Sequence, residues 1–98
     1  MGSLLIEYRY DGNEDNWRES IENFLNQISA DPKLSGRFRY SVFIGEDGVS
    51  RSHVPSWDCE ETLSYLQSQD FFKAFAAKVK EFAGDSLRTN KSKMMTKS

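Results

Sequence analysis

The 98-residue chain holds one histidine, His53, and it stands four residues before Trp57 in the stretch SHVPSWDCEETLSYL. Side chains four apart on an extended strand point to the same face, so an imidazole and an indole would share a wall. An imidazole with an unperturbed pKa of about 6.5 can act as general acid or base near neutral pH. Without a defined partner it is equally a half-exposed strand residue that makes a hydrogen bond and does nothing more. Trp57 can stack a flat ligand as a pocket wall, or anchor the turn from strand to helix, and the two roles are compatible. Tyr8, Tyr10 and Tyr40 can bring phenol groups to a ligand, although packing in a core or interface is the commoner use of such residues. Ser52 beside His53 makes no nucleophile–base pair, because strand neighbours point to opposite faces.

Other chemistries find little support. Glu60 and Glu61 form a helix-start acid pair favoured by the helix dipole, not a catalytic dyad. Asp11, Glu46 and Asp47 are turn residues without metal-ligand spacing, and no glycine-rich phosphate loop is present. Cys59 is the sole cysteine, which rules out an intrachain disulfide and a paired-thiol metal site and fits a cytoplasmic protein. Thirteen basic residues balance fifteen acidic ones, so no nucleic-acid-binding face is expected. No apolar run approaches the roughly 20 residues that span a bilayer. The start, MGSLLIEYRY, lacks the positive region and long apolar core of a signal peptide, and Ile6 breaks the myristoylation pattern.

The elements that must position these residues read as one domain over 1–98. Leu4, Ile6, Tyr8 and Tyr10 alternate with Leu5, Glu7 and Arg9 as in a strand, and Asp11-Gly12 ends it. Trp17, Ile21, Phe24, Leu25 and Ile28 line one face of a helix, with Asn13 or Asp15 as its cap and Pro32 as its end. RFRYSVFI, 37–44, is the clearest strand, and the turn GEDG leads into a return strand over about 49–57. Pro55 there places the segment at an edge or a bulge. Asp58, with Glu61 three residues on, resembles a capping box. The helix it opens is led by Leu63 and Leu66, then by Phe71 or Phe72, Phe75, Val79 and Phe82, with SQD at 68–70 as an offset or break. Gly84 stops it. The tail begins as a fourth strand and is expected to fray over about 91–98. Strand, helix, two strands, helix, strand is the ferredoxin-like βαββαβ order of an α+β domain, an antiparallel sheet with helices on one face. Leu5 and Phe43 would then lie on the uncovered face, where contiguous apolar surface marks an interface.

ISADPKLSGRFRYSVF with its Gly36 and Tyr40, and SWDCEETLSYLQSQDFFKAF with its Trp57, Asp58 and Ser68, resemble the antibiotic biosynthesis monooxygenase-like family of dimeric α+β barrels. The resemblance runs through most of the chain, and it implies a homodimer closed sheet to sheet. In similar monooxygenases a polar residue at the His53 position, often Asn, accompanies the Trp in the substrate pocket. The resemblance therefore implies His53 as candidate base beside Trp57, and a small aromatic or quinol substrate that reacts with oxygen without a cofactor; Tyr8 and Tyr40 are the phenols expected near that substrate. A non-enzymatic ligand-binding or structural dimer of the same fold is the alternative. Haem binding or degradation is a lesser one, because the axial His of the haem-degrading relatives is matched here by Ala76 and their catalytic Trp by Leu66.

Overall fold

The computed structural model describes residues 2–92. Alternation over Gly2–Arg9 makes strand β1, which turns Leu4, Ile6 and Tyr8 towards the helices. Helix α1 follows at Glu14–Ala30 and buries Trp17, Ile21, Phe24 and Ile28. Its cap is Asn13, whose side chain accepts from the Asn16 N–H at 2.8 Å. Asp15 lies inside the first turn, where its charge suits the helix dipole. Strand β2, Phe38–Ile44, and strand β3, Ser50–Trp57, form the expected hairpin. Its turn is held by Gly45 N–H donating to Ser50 O at 2.7 Å, and a positive φ of 76° at Gly48 requires a residue without Cβ strain.

The second helical stretch is two helices, α2 at Glu60–Gln67 and α3 at Asp70–Ala83. The break falls at Ser68–Gln69, inside the SQD segment. The Ser68 hydroxyl donates to Tyr65 O at 2.7 Å and the Gln69 side-chain amide to the same carbonyl at 3.2 Å, occupying an oxygen at the end of α2. Gly84 ends α3 with φ 56° and ψ −127°. After a 3-10 turn at Gly84–Ser86, strand β4 runs from Arg88 to Ser92. Lys91 and Ser92, assigned from the sequence to a fraying tail, pair in the sheet opposite Leu4 and Ser3. The rest of that tail, including Met94 and Met95, lies outside the described residues.

The four strands form one antiparallel sheet in the order β2-β3-β1-β4, with the helices on one face. This is the ferredoxin-like α+β arrangement. Two local expectations are corrected. Pro55 is on a central strand, not at an edge, and the register is unchanged across it, Ser3 facing Ser56 and Ile6 facing His53 on β1. No bulge forms there, so His53 stays in phase with Trp57. Asp58 does not make a capping box either. Cys59 is the cap of α2, and the Asp58 carboxylate accepts the Thr62 hydroxyl at 2.6 Å and the Cys59 N–H at 2.8 Å.

Candidate functional site

Arg51, His53, Pro55 and Trp57 alternate inwards along β3 and are all buried. The neighbouring strands set tyrosines diagonally across from His53: Tyr8 lies two residues beyond its β1 partner Ile6, and Tyr40 two before its β2 partner Val42. Diagonal neighbours are within reach of aromatic side chains. The Tyr8 hydroxyl lies 2.8 Å from His53 Nε2, and the Tyr40 hydroxyl 2.6 Å from Nδ1. From α1, Trp17 Nε1–H donates to the Tyr8 oxygen at 2.7 Å. One buried line therefore joins indole, phenol, imidazole and phenol. Phe75 of α3 stacks on His53 at 6.1 Å between centroids and packs flat on Phe24 at 3.8 Å, which seals the line from the helix side.

Burial sets the protonation states. His53 is fully buried and its pKa is lowered to about 4 by desolvation of the charged form. It is neutral at pH 7, with both ring nitrogens engaged. Desolvation pushes the Tyr40 phenol far above its ordinary range, with the Tyr8 phenol adding to the effect. Burial also raises Tyr8, against the lowering pull of Trp17 and Arg51.

Arg51 is a site residue that sequence reasoning passed over. Its guanidinium is buried, lies 4.2 Å over the Trp17 ring and meets Glu14 at 2.8 and 3.1 Å. It also donates to the carbonyls of Tyr10 and Gly48. The signal was present: Arg51 shares the strand phase of His53 and Trp57, so an inward-facing strand placed a cation inside. The Arg51 hydrogen bond and charge hold the Glu14 carboxyl below its usual range. Tyr10, the other phenol considered from the sequence, lies under this guanidinium and donates to Asn13 O, away from the histidine.

Beside Tyr40 is a cavity of about 170 Å³ between sheet and helices. Leu4, Ile6, Phe38, Trp57, Leu66 and Phe75 give it apolar walls, while exposed Gln67, Lys80 and Thr89 stand at its mouth. Tyr40 and Trp57 line it; His53 and Tyr8 do not, and stand behind Tyr40. The imidazole and the indole thus share a face without sharing a wall. Trp57 stacks on Phe38 at 6.3 Å, and its Nε1–H is buried with no hydrogen-bond partner among the described residues. Its indole also lies across Gly2, where a Cβ would come within 2.5 Å of Nε1. A larger depression of about 940 Å³ lies against Tyr10, α1 and α3, but charged surface residues such as Arg18, Glu19 and Glu81 line it, and none of the His53 line does. For haem, Ala76 on the cavity wall offers no ligand atom, and Leu66 is a fully buried core residue. The position that the sequence resemblance matched to the axial ligand thus carries no group that could hold iron.

The sequence matches no family model and no curated protein. Solved structures do match the fold. The cofactor-independent oxygenase SnoaB from Streptomyces nogalater, as a single-residue mutant, superposes with a TM-score of 0.78 at 10% identity, covering 98% of this chain and 94% of that one. Rv0793 from Mycobacterium tuberculosis gives 0.78 at 10% identity over 99% and 97%. A protein described as an antibiotic biosynthesis monooxygenase gives 0.76 at 8% identity over 98% and 100%. The fold is that of the antibiotic biosynthesis monooxygenases. At these identities the likeness concerns the backbone, as the sequence resemblance led one to expect. It leaves the chemistry to the side chains described above.

Proposed function

We propose that this protein is a cofactor-independent monooxygenase acting on a small aromatic phenol or quinol. The observation that carries the reading is the apolar cavity of about 170 Å³ with the Tyr40 phenol on its wall and His53 directly behind it. An apolar cavity of about 150 Å³ takes a benzene ring, so the space suits one substituted ring. The likeness of fold to a cofactor-independent oxygenase supports the same reading. The substrate hydroxyl loses its proton to solvent at the cavity mouth, and the electron-rich anion reacts with dioxygen. The substrate supplies the electrons; one oxygen atom enters the product and the other leaves as water. The protein excludes water, holds the ring against Trp57 and stabilises the developing oxyanion. Tyr40 touches the substrate. His53 and Tyr8 act through Tyr40, so the imidazole's part in the proton chemistry is exerted at one remove. The proposal includes a homodimer and a cytoplasmic location; no helix among the described residues is long and apolar enough to cross a membrane.

Oxygen consumption with a panel of single-ring and two-ring quinols tests this reading. Uptake is expected with at least one member and is expected to fall at least tenfold in Tyr40→Phe. A second reading has an observation of its own. His53 has both nitrogens occupied and a pKa lowered to about 4, so the wall offers no free base. A non-enzymatic binder would show saturable quenching of Trp fluorescence by the same compounds with no oxygen uptake.

A further inference from the structure

We propose that Trp17, Tyr8, His53 and Tyr40 form a chain of hydrogen bonds that all run one way, towards the cavity, so that the Tyr40 hydroxyl donates to an acceptor oxygen on the bound ligand. His53 and Tyr8 are positioning residues in this scheme. It rests on the cavity being the ligand site, but not on any turnover.

The direction follows from counting protons. An indole N–H can only donate, so Trp17 occupies the Tyr8 oxygen as acceptor at 2.7 Å. The Tyr8 proton then needs an acceptor of its own, and the group in reach is His53 Nε2 at 2.8 Å. Were Nε2 protonated, Tyr8 would accept twice and its buried proton would have no partner, at a cost of about 1–3 kcal/mol. Either tautomer leaves one phenol proton over; with Nε2 bare it is that of Tyr40, which lines the cavity, and not that of Tyr8 in the core, so the geometry favours a bare Nε2. A neutral imidazole then carries its one proton on Nδ1, which donates to the Tyr40 oxygen at 2.6 Å. Tyr40 keeps its own proton, for which no acceptor is present among the described residues, and Tyr40 is the member of the line on the cavity wall.

Each bond in such a series polarises the next. The Arg51 guanidinium over the Trp17 ring strengthens the first donor by drawing electron density from the indole. Burial keeps both phenols protonated, as the chain requires. The ligand that fits is an aromatic ring bearing a carbonyl or phenolate oxygen. A ligand whose only polar group is a donor would find Tyr40 already facing it with a proton.

The lone histidine makes the test clean. Nitrogen-15 NMR of the imidazole is expected to show a protonated Nδ1 and a bare Nε2 at pH 7, and Tyr8→Phe is expected to move population to the other tautomer. A protonated Nε2 in the unmodified protein overturns the scheme. Binding provides the second readout, with acetophenone and its hydrocarbon isostere α-methylstyrene as probes. The ratio of their Kd values is expected to shift about tenfold against acetophenone in Tyr40→Phe, for a hydrogen bond of typical strength. It is expected to shift in the same direction in Tyr8→Phe, although Tyr8 does not line the cavity. An unchanged ratio in Tyr40→Phe also overturns the proposal. If neither probe binds, the cavity reading itself fails, and the ligand half of the proposal falls with it. Binding with the expected ratios but no oxygen uptake would sink the monooxygenase reading alone.

Discussion

At the scale of single residues, the buried imidazole links acid to stability. The folded pKa of His53, about 4, is below the ordinary value of 6.5, so the unfolded chain binds the extra proton first as pH falls. The stabilisation is full above about pH 6.5 and is lost progressively as pH drops towards 4. Between pH 7 and pH 5 the loss amounts to about 2 kcal/mol. Urea unfolding across that window measures it, and His53→Gln should flatten the profile. A native protein equally stable at both ends would mean that the imidazole is hydrated and the line through it is open. The lowered carboxyls of Glu14, Asp47 and Asp58 act in the same direction but further down the scale, below the usual carboxylate range. That separation lets the upper part of the profile report on one ring.

At the scale of elements, the helix and strand faces were legible because burial imposes period and the sequence shows period. Trp17, Ile21, Phe24 and Ile28 are the buried side of α1, and the inward phase of β3 follows from His53 and Trp57 alone. Pro55 was misread because its missing N–H argues for an edge, whereas here an unbroken register on both sides carries it within the sheet. The capping box failed because Asp58 found a nearer partner in Thr62. What no local pattern shows is register between strands. That register, not composition, brings Tyr8 and Tyr40 to the two nitrogens of His53, and for this reason the site was only half visible in advance. Glycine punctuation was plainer, and it can be tested at the end of α3. Gly84→Ala forces a side chain into φ 56°, ψ −127°, a conformation that costs roughly 1–3 kcal/mol for a residue with a Cβ. A drop of that size in urea unfolding is expected, with the ligand-binding ratios unchanged.

At the scale of the molecule, the helices among the described residues all cover one face of the sheet, and among those residues the other face is left to strand side chains alone. Leu5, Phe43 and Val54 lie there by alternation, among Ser41, Ser52 and Ser56. Phe43 is 57% exposed, which is wasteful for a large ring unless a second copy covers it. Light scattering after size exclusion should therefore report about twice the 11.3 kDa chain mass, and Phe43→Glu should return the single-chain value. A native protein that elutes as one chain would count against the interface.

The closeness of Gly2 to the Trp57 indole couples position 2 to the shape of the cavity that this ring lines. A methyl group there has to push the indole aside, and that ring is part of the cavity wall. If the cavity takes a ligand as proposed, Gly2→Ala is expected to change the ligand size it accepts while every wall side chain keeps its identity.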